Sequence, residues 1–290
     1  MNKLRNFNWV STSNATKQDL DALQKQMLAY YSQDATRSFY QAMLDSATEN
    51  QPAVLQSLTE EIVDRKPSKV IELGCGSGWI LEELVKRGLK ANQYTGAEFS
   101  STVIEQNRQR QPEATWHVLT DYECDEPAGK FDAAYSYFVI EHCVYPERHL
   151  EELWRLIRPG GWLYLVCPDF VVGGIFPSQY LGAGQSSAKD LLRKGRVVAG
   201  LVSLYDSRIR IRQALANLEQ ERGNFVINLT PTCLVPGFRL VPDVDAVYIS
   251  NHRDVIRWAS DKHSKAEFPK FGSYAGHSSI LFAKIQKPSL

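Results

Sequence analysis

The middle of the chain alternates between segments that predict strands and segments that predict helices. Strands that alternate with helices of about ten residues are typical of a parallel sheet covered by helices on both faces. Right-handed crossovers bring the carboxyl ends of such strands to one edge, where open sheets bind ligands. The predicted strands are Lys69–Leu73, Tyr94–Glu98, Thr115–Leu119, Phe131–Phe138 and Trp162–Cys167, and the helices between them are Ile80–Arg87, Ser101–Arg110 and Pro146–Ile157.

Segments with a different pattern flank this alternation. Residues 16–65 contain no Gly and carry apolar side chains at helical spacing, which predicts a helical region. Residues 186–222 are also predicted to be helical and carry eight basic and four acidic side chains, a local net charge of +4. These basic side chains either form a solvated helix face or meet an acidic group of a ligand. Near the end, Ala246–Ser250 and Ser279–Gln286 are predicted strands, and Arg253–His263 is a predicted helix.

Composition excludes several classes of function. Basic and acidic side chains both number 33, and this zero net charge argues against a chain that binds nucleic acid as a whole. The five cysteines include no C-x-x-C pair, so a reducing compartment is expected, without a disulfide framework or a zinc site. The chain start lacks the apolar core of a signal peptide. No stretch approaches the about 18 uninterrupted apolar residues of a membrane span. We therefore expect a cytoplasmic protein without a membrane span.

The first predicted strand runs into a glycine-rich stretch, VIELGCGSGW, at residues 70–79. No Lys follows Gly78, which excludes a phosphate-binding P-loop. The G-x-G-x-G spacing departs from the G-x-G-x-x-G of dinucleotide sites, and Trp79 stands where a third close-packing glycine would be expected. Glu72 would repel a pyrophosphate and attract a cation. The stretch therefore favours a cationic ligand.

This stretch resembles motif I of the class I S-adenosylmethionine (SAM)-dependent methyltransferases. The resemblance continues with Glu98 after the second strand, Asp121 after the third, the segment 131–142, and R-L-I-R-P-G-G-W-L at residues 155–163. It covers about residues 67–170 in order. It implies an α/β, Rossmann-like class I methyltransferase fold with a mostly parallel seven-stranded sheet and helices on both faces. From their position outside this core, the flanking segments are expected to add an N-terminal helical lid and a helical insertion after strand five.

We expect the whole chain, residues 1–290, to form a single methyltransferase domain. Its parts would be an N-terminal helical cap at 1–66, a SAM-binding core at 67–170, a mainly helical substrate-lid insertion at 171–240, and the remaining sheet strands at 241–290. Lids outside the shared core exclude water and select the acceptor.

The resemblance also implies which residues bind SAM, with S-adenosylhomocysteine as the product. Glu98 would bind the ribose hydroxyls and Phe99 would lie against the adenine. Asp121 would approach the adenine amino group, and Tyr122 would offer backbone contacts. Tyr137 is a candidate for stabilising the sulfonium by its position. The methionine end would lie against Glu72, Gly74, Cys75, Gly76 and Gly78.

His142 is the candidate general base, because it follows the fourth strand where donor and acceptor would meet. The alternative is that Glu141 and His142 cap a helix or fix a loop. The I-E-H run at 140–142 resembles that of ubiquinone- and menaquinone-type methyltransferases. Phe138 stands where some relatives carry a further metal-binding acid, so no metal is expected.

Together these features predict a SAM-dependent methyltransferase that acts on a small molecule, with oxygen favoured as the methylated atom, in a biosynthetic pathway. N- or C-methylation remains open. A second class of function is a methyltransferase fold that binds SAM and catalyses a cyclase or lyase reaction, and a third is a noncatalytic partner subunit. Binding of nucleic acid is not expected, and the sequence leaves the oligomeric state open.

Overall fold

The computed structural model describes residues 7–33, 36, 53–177, 188–218, 224–235, 237, 238, 240, 242–271 and 279–289. The predicted cap at 1–66 and the insertion at 171–240 both extend in part outside these residues. The described strands are β1 (Trp9–Ser11), β2 (Val70–Leu73), β3 (Tyr94–Glu98), β4 (Thr115–Val118), β5 (Phe131–Tyr137), β6 (Ile157–Pro168), β7 (Val226–Asn228), β8 (Ala266–Glu267) and β9 (Ile280–Gln286).

Within the described residues, seven strands form one sheet in the order β4-β3-β2-β5-β6-β9-β8. Strands β2 to β6 pair in parallel, whereas β9 is antiparallel to both β6 and β8. The mostly parallel seven-stranded sheet predicted from the sequence is therefore confirmed. The two-residue strand β8 escaped prediction because so short a strand leaves no alternating pattern.

The described helices include α1 (Lys17–Tyr31), α2 (Ala53–Val63), α3 (Trp79–Lys86), α4 (Ser101–Arg110), α5 (Pro146–Leu156), α6 (Phe170–Gly173), α7 (Ala188–Arg193), α8 (Val197–Tyr205), α9 (Ile211–Leu218) and α10 (His252–Asp261). Local signals set several helix starts. The Thr16 side chain accepts a hydrogen bond from the Asp19 N–H and caps α1, and Asn251 caps α10 in the same way. No described helix has the length and apolar character needed to cross a bilayer.

Helices cover the sheet on both faces, because alternate side chains of each strand point to opposite faces. In β2, Ile71 and Leu73 join a core cluster that includes buried side chains of α1, α5 and α10. Val70, on the same strand, joins the other cluster, which includes α2 and α3. The carboxyl ends of β2 to β5 therefore meet at one edge between two packed layers.

A small second sheet joins the two predicted lid segments. Strand β1, from the N-terminal cap, pairs antiparallel with β7, from the insertion. Trp9 is buried there, stacked on Phe7 with ring centroids 4.7 Å apart and in edge contact with Phe176 at 5.4 Å. Segments that are more than 200 residues apart in the sequence thus form one substructure beside the main sheet.

The strand predicted at Ala246–Ser250 is wrong. This segment is buried but makes only an isolated bridge, between Tyr248 and Ile227. The backbone N–H groups of Val247 and Tyr248 instead donate to the carbonyl oxygen of Glu141, at 2.8 and 2.9 Å. An apolar run shows that a segment is buried and does not show whether it joins a ladder. The segment runs past the edge of the sheet and brings Asp243 and Asp245 to residues 141 and 142.

The basic side chains of the insertion divide into two environments. Arg193, Lys194, Arg196, Arg208 and Arg212 are exposed. Arg210 is buried, forms an ion pair with Asp206, and lies 4.0 Å from the ring centroid of Phe7. Most of the described positive charge of this region is therefore a solvated helix face.

Candidate active site

The glycine loop after β2 has one open side. Gly78 has a φ of +72°, and a Cβ there would lie 2.4 Å from the indole of Trp116. Gly76 has a φ of +48°, but a Cβ there would meet nothing within 4 Å. The Trp116 side of the loop is therefore filled by protein, and the Gly76 side is open to a ligand. The other loop residues, Gly74 and Cys75, donate their N–H groups to the carbonyl oxygen of Ala97 at 2.8 and 3.1 Å, and the Cys75 thiol is buried.

The Glu98 carboxylate lies beside this open loop at the end of β3. It accepts hydrogen bonds from the backbone N–H groups of Phe99, at 2.9 Å, and Gly76, at 3.3 Å. Burial raises the pKa of Glu98 above its ordinary value, although these N–H groups oppose the rise. The neighbouring Phe99 side chain is 43% exposed. An acceptor of hydrogen bonds and an exposed aromatic ring therefore stand side by side at this edge.

Glu72 lies deeper, below the loop. The hydroxyls of Tyr94 and Tyr135 both donate to its Oε2, at 2.5 and 2.8 Å. Burial raises the pKa of Glu72 to about 8, despite the two hydrogen bonds. Because both tyrosines engage the same oxygen, Oε1 is the atom that a cation near the loop could engage.

Asp121 and Tyr122, which follow β4, both have positive φ values, of 51° and 73°. The Asp121 side chain is exposed and forms two hydrogen bonds with Arg148, at 2.7 and 2.8 Å. The Tyr122 hydroxyl donates to Gln24 of α1 at 2.9 Å and accepts from the N–H of Val144 at 3.1 Å. Asp121 is therefore already paired on the surface, and the side chain of Tyr122 fixes the loop against its neighbours.

The end of β5 carries a conformational outlier. Tyr137 packs edge-on against Trp79, with ring centroids 5.9 Å apart. The next residue, Phe138, has a φ of +53°, which is rare for a bulky side chain. Its N–H still donates to the carbonyl oxygen of Val166 at 2.8 Å, which holds this residue against β6. The strand therefore ends at Phe138 with a strained backbone. Strain of this kind is found at functional sites.

His142, in the short 3₁₀ turn Ile140–His142, lies between two carboxyl groups. Its Nδ1 is 3.2 Å from Oδ2 of Asp245, and its Nε2 is 3.7 Å from Oε1 of Glu141. Both carboxyl side chains are completely buried, whereas the His142 side chain is 20% exposed. Burial lowers the pKa of His142, but the nearby Asp245, Glu141 and Asp243 outweigh burial, so the pKa stands above its ordinary value.

Sequence reasoning missed Asp245 as a member of this cluster and named Tyr31 only as an aromatic residue of the cap that could form a lid. Asp245 immediately precedes the segment 246–250, which was wrongly predicted as a strand. Tyr31, the last residue of α1, donates its hydroxyl hydrogen to Asp245 Oδ2 at 2.6 Å. Its ring also lies 5.7 Å from Phe99 and 6.4 Å from His142, measured between centroids. No local sequence signal joins these residues, because Tyr31 and Asp245 are 214 positions apart.

The structure thus brings most of the predicted site residues to one edge of the sheet, and they fit a cationic nucleoside donor. The open space at Gly76 suits a close backbone approach, Glu98 can accept hydroxyl hydrogens, and Phe99 offers an exposed aromatic face. A cleft of about 430 Å³ lies elsewhere, beside Glu61 and Arg65, at the amino-terminal edge of the sheet. This second cleft is remote from the glycine loop and from His142.

Comparison with known proteins agrees with this geometry. A family model described as "Methyltransferase domain" matches residues 71–165. The mitochondrial ubiquinone biosynthesis O-methyltransferase of Candida albicans is 26% identical over 207 residues, which cover 67% of this chain and 61% of that protein. The match thus spans less than two thirds of this relative's length. The ubiquinone biosynthesis O-methyltransferase of Pseudomonas aeruginosa is 28% identical over 194 residues, covering 62% of this chain and 76% of that protein.

A solved structure shares the fold. The 1,6-didemethyltoxoflavin-N1-methyltransferase of Burkholderia thailandensis, solved with 1,6-didemethyltoxoflavin and S-adenosylhomocysteine bound, superposes with a TM-score of 0.53. The match covers 97% of this chain and 94% of that one at 12% identity. Family model, relatives and fold agree with the sequence motifs and support a class I SAM-dependent methyltransferase.

Proposed function

We propose that this protein transfers the methyl group of SAM to an oxygen atom of a small molecule in a biosynthetic pathway. The observation that carries the proposal is His142, a partly exposed imidazole beside the buried Asp245 at the edge where the SAM-binding motifs converge. Similarity to the two ubiquinone biosynthesis O-methyltransferases supports oxygen as the methylated atom.

The residues at the sheet edge have distinct roles in this proposal. When bound, SAM supplies a methyl group and a sulfur leaving group that keeps the electrons of the broken carbon–sulfur bond. Glu98 accepts hydrogen bonds from the ribose, and the loop at Gly76 admits the methionine end. His142 Nε2 takes the proton of the acceptor hydroxyl as the oxygen attacks. Orientation of the acceptor supplies much of the remaining acceleration.

The walls of the site favour a neutral acceptor with an aromatic ring. Tyr31 and Phe99 present aromatic surface beside His142. Asp243 and Asp245 place acidic groups beside the imidazole, which disfavours a negatively charged acceptor. A phenol or enol hydroxyl meets both conditions and needs a base to become a good nucleophile.

We also infer that the protein works in the cytoplasm. All five cysteines are free and buried, and burial raises the pKa of the thiol groups of Cys75, Cys143 and Cys167. Such thiols are poor partners for disulfide exchange, in keeping with a reducing compartment.

The test measures S-adenosylhomocysteine formation with SAM and three probes: catechol for oxygen, 2-aminophenol for oxygen against nitrogen, and 3,4-dihydroxybenzoate for a charged ring. We expect mass spectrometry to show O-methylated catechol and a weaker reaction of the carboxylate. In His142→Gln, turnover should fall by about 10²–10⁴-fold with unchanged SAM binding. Tight SAM binding without methylation of any hydroxyl compound would refute the proposed reaction. A cyclase or lyase reaction would then become the leading hypothesis for the function.

A further inference from the structure

The surroundings of His142 differ on the two sides of its ring. On the Nδ1 side, Asp245 is completely buried and 3.2 Å away. Neither this Nδ1 nor Oδ1 of Asp245 has a hydrogen-bond partner among the described residues. Because the buried Nδ1 lies 3.2 Å from Oδ2 of the Asp245 carboxyl group, it is placed to bond to this group after a small rotation of the ring. The exposed part of the side chain therefore lies toward Nε2.

The carboxyl group on the Nε2 side is a weaker partner. Glu141 Oε1 is 3.7 Å from Nε2, beyond hydrogen-bond distance. Burial raises the pKa of Glu141 to about 8, so this side chain is largely protonated at neutral pH. A neutral Glu141 attracts an imidazolium far less than a carboxylate does. The imidazole is thus oriented by Asp245 rather than by its neighbour in sequence.

Asp245 is itself fixed by the end of helix α1. The Tyr31 hydroxyl donates to Oδ2, the same oxygen that faces His142. Helix α1 buries Leu20, Leu23, Met27 and Tyr30 against the core, so its last residue reaches the site on a docked element. The Tyr31 ring also lies beside Phe99, next to the predicted ribose ligand Glu98. One side chain of the cap therefore touches both the predicted donor region and the base.

We propose that Tyr31, Asp245 and His142 form a relay in which Asp245 fixes the imidazole with its proton on Nδ1, and Tyr31 makes this arrangement depend on docking of helix α1. The relay rests on the function proposed above. Nε2 then carries the lone pair that takes the proton from the hydroxyl group of the methyl acceptor. The imidazolium that results is stabilised by the buried Asp245 carboxylate. Asp245 and Tyr31 act through His142 and are positioning residues. The base is complete only when α1 covers the site.

The relay predicts a defined tautomer, which nitrogen NMR of the histidine ring measures without any acceptor. The probe is the full chain with ¹⁵N-labelled histidine, saturated with S-adenosylhomocysteine, with His142→Gln used to assign the signals. We expect the neutral imidazole of His142 in the wild-type protein to carry its proton on Nδ1. In Asp245→Asn, the proton should move largely to Nε2 and the pKa of His142 should fall by about 1 or more.

Two tyrosine variants separate the relay from simple docking of α1. Tyr31→Phe removes the hydroxyl that bonds to Asp245. Tyr145→Phe removes a hydroxyl that bonds to Asp21, also on α1, at 2.5 Å and away from His142. Both variants lose one hydrogen bond that fixes the same helix. Only Tyr31→Phe should shift the His142 tautomer toward Nε2–H and lower kcat, with little change in the KM for SAM.

Each result bears on the proposal. An Nε2–H tautomer in the wild-type protein would overturn the relay even if the variants failed to fold. Unchanged His142 signals in a folded Asp245→Asn protein would also overturn it, and equal effects of Tyr31→Phe and Tyr145→Phe would remove Tyr31 from it. Failure of the wild-type protein to bind S-adenosylhomocysteine would instead reject the methyltransferase function. Absence of phenol methylation together with the predicted tautomer would reject the acceptor and retain the relay.

Discussion

Glu98 is buried and accepts backbone hydrogen bonds, and this arrangement suits a carboxylate that binds the hydroxyl groups of a ligand. Its carboxylate accepts hydrogen bonds from the backbone N–H groups of Gly76, Phe99 and Ser100 and still lies at the edge of the sheet. Its position at the end of a strand is a local property, so the sequence alone predicted it. The structure adds that the carboxylate also organises the glycine loop.

We predict that Glu98→Ala weakens SAM binding at least about tenfold, because two charge-assisted hydrogen bonds to the ribose are lost. Glu105→Ala on α4 is the matched control, since it removes a carboxylate of the same helix–loop region whose contacts, an ion pair with Arg108 and a hydrogen bond from Gln109, lie on the surface. Calorimetric titration measures both affinities, and circular dichroism checks folding. Equal affinities of the two variants for SAM would show that Glu98 does not bind the ribose.

A second prediction concerns protons taken up or released with SAM. Glu72 has a pKa raised to about 8 in the free protein, so it is largely protonated at pH 7. A bound cation favours the ionised form and lowers this pKa, so binding should release a fraction of a proton near pH 7. For the same reason, SAM affinity should increase as the pH rises from 6 toward 8.

Calorimetry in buffers of different ionisation enthalpy measures this proton release. Glu72→Gln keeps the shape of the side chain and removes its titration, so both the release and the rise of affinity with pH should largely disappear. An identical proton release in wild type and Glu72→Gln would show that another group titrates. Glu72 would then be a structural member of the tyrosine cluster only.

At the scale of elements, the glycine loop shows why equal spacing does not mean equal roles. The sequence places glycines at 74, 76 and 78 without distinguishing them. In the structure, Trp116 of β4, two strands away in the sheet, occupies the space beside Gly78, whereas the space beside Gly76 is open. The position of the Trp116 indole, which is distant in sequence, thus distinguishes the two glycines. Gly78 is required for packing against it, whereas Gly76 leaves space for a ligand.

Alanine substitution should therefore mainly lower stability at Gly78 and mainly weaken SAM binding at Gly76. Gly78→Ala places a methyl group against Trp116 and should lower the free energy of unfolding by about 2 kcal/mol. Gly76→Ala meets no protein atom, so it should lose only about 1 kcal/mol from its left-handed backbone and bind SAM at least about tenfold more weakly. Urea denaturation and calorimetry measure the two quantities. A Gly76→Ala protein with wild-type SAM affinity would contradict the assignment of the open side.

The predicted elements of the core agree closely with the observed ones. Strand β3 and helix α4 begin and end at the predicted residues, because Ser100 caps the helix and Pro112 follows it. The failure at 246–250 has a different origin. Its backbone groups bond to Glu141 and to β7, partners that are remote in sequence and cannot be inferred from an apolar run.

For the whole molecule, the small β1–β7 sheet links the cap to the insertion. The Leu229 N–H donates to the Asn8 carbonyl at 3.0 Å, and the Thr12 N–H donates to Phe225 at 2.9 Å. Buried aromatic side chains around Trp9 support these bonds. The two segments that flank the core in sequence thus depend on each other in space.

Trp9→Ala should therefore weaken the pairing between β1 of the cap and β7 of the insertion. We expect faster hydrogen exchange in peptides covering residues 224–231, because β1 loses the aromatic contacts that keep it paired, while β5 keeps its protection. Trp162→Ala is the control, since this indole stacks under Arg65 on another part of the sheet. Equal exchange of residues 224–231 in the two variants would show that β1 is held without Trp9.

The sequence by itself determined the sheet-and-helix core, the glycine loop and the acid at the end of β3. Each depends on side chains within a few residues, whose spacing directly sets backbone conformation and burial. Only the tertiary structure decided the partners of His142. Tyr31 and Asp245 come from opposite ends of the chain and meet because α1 packs on the sheet and residues 243–248 bond to Glu141. Such contacts are set by the packing of whole elements, which no local pattern encodes.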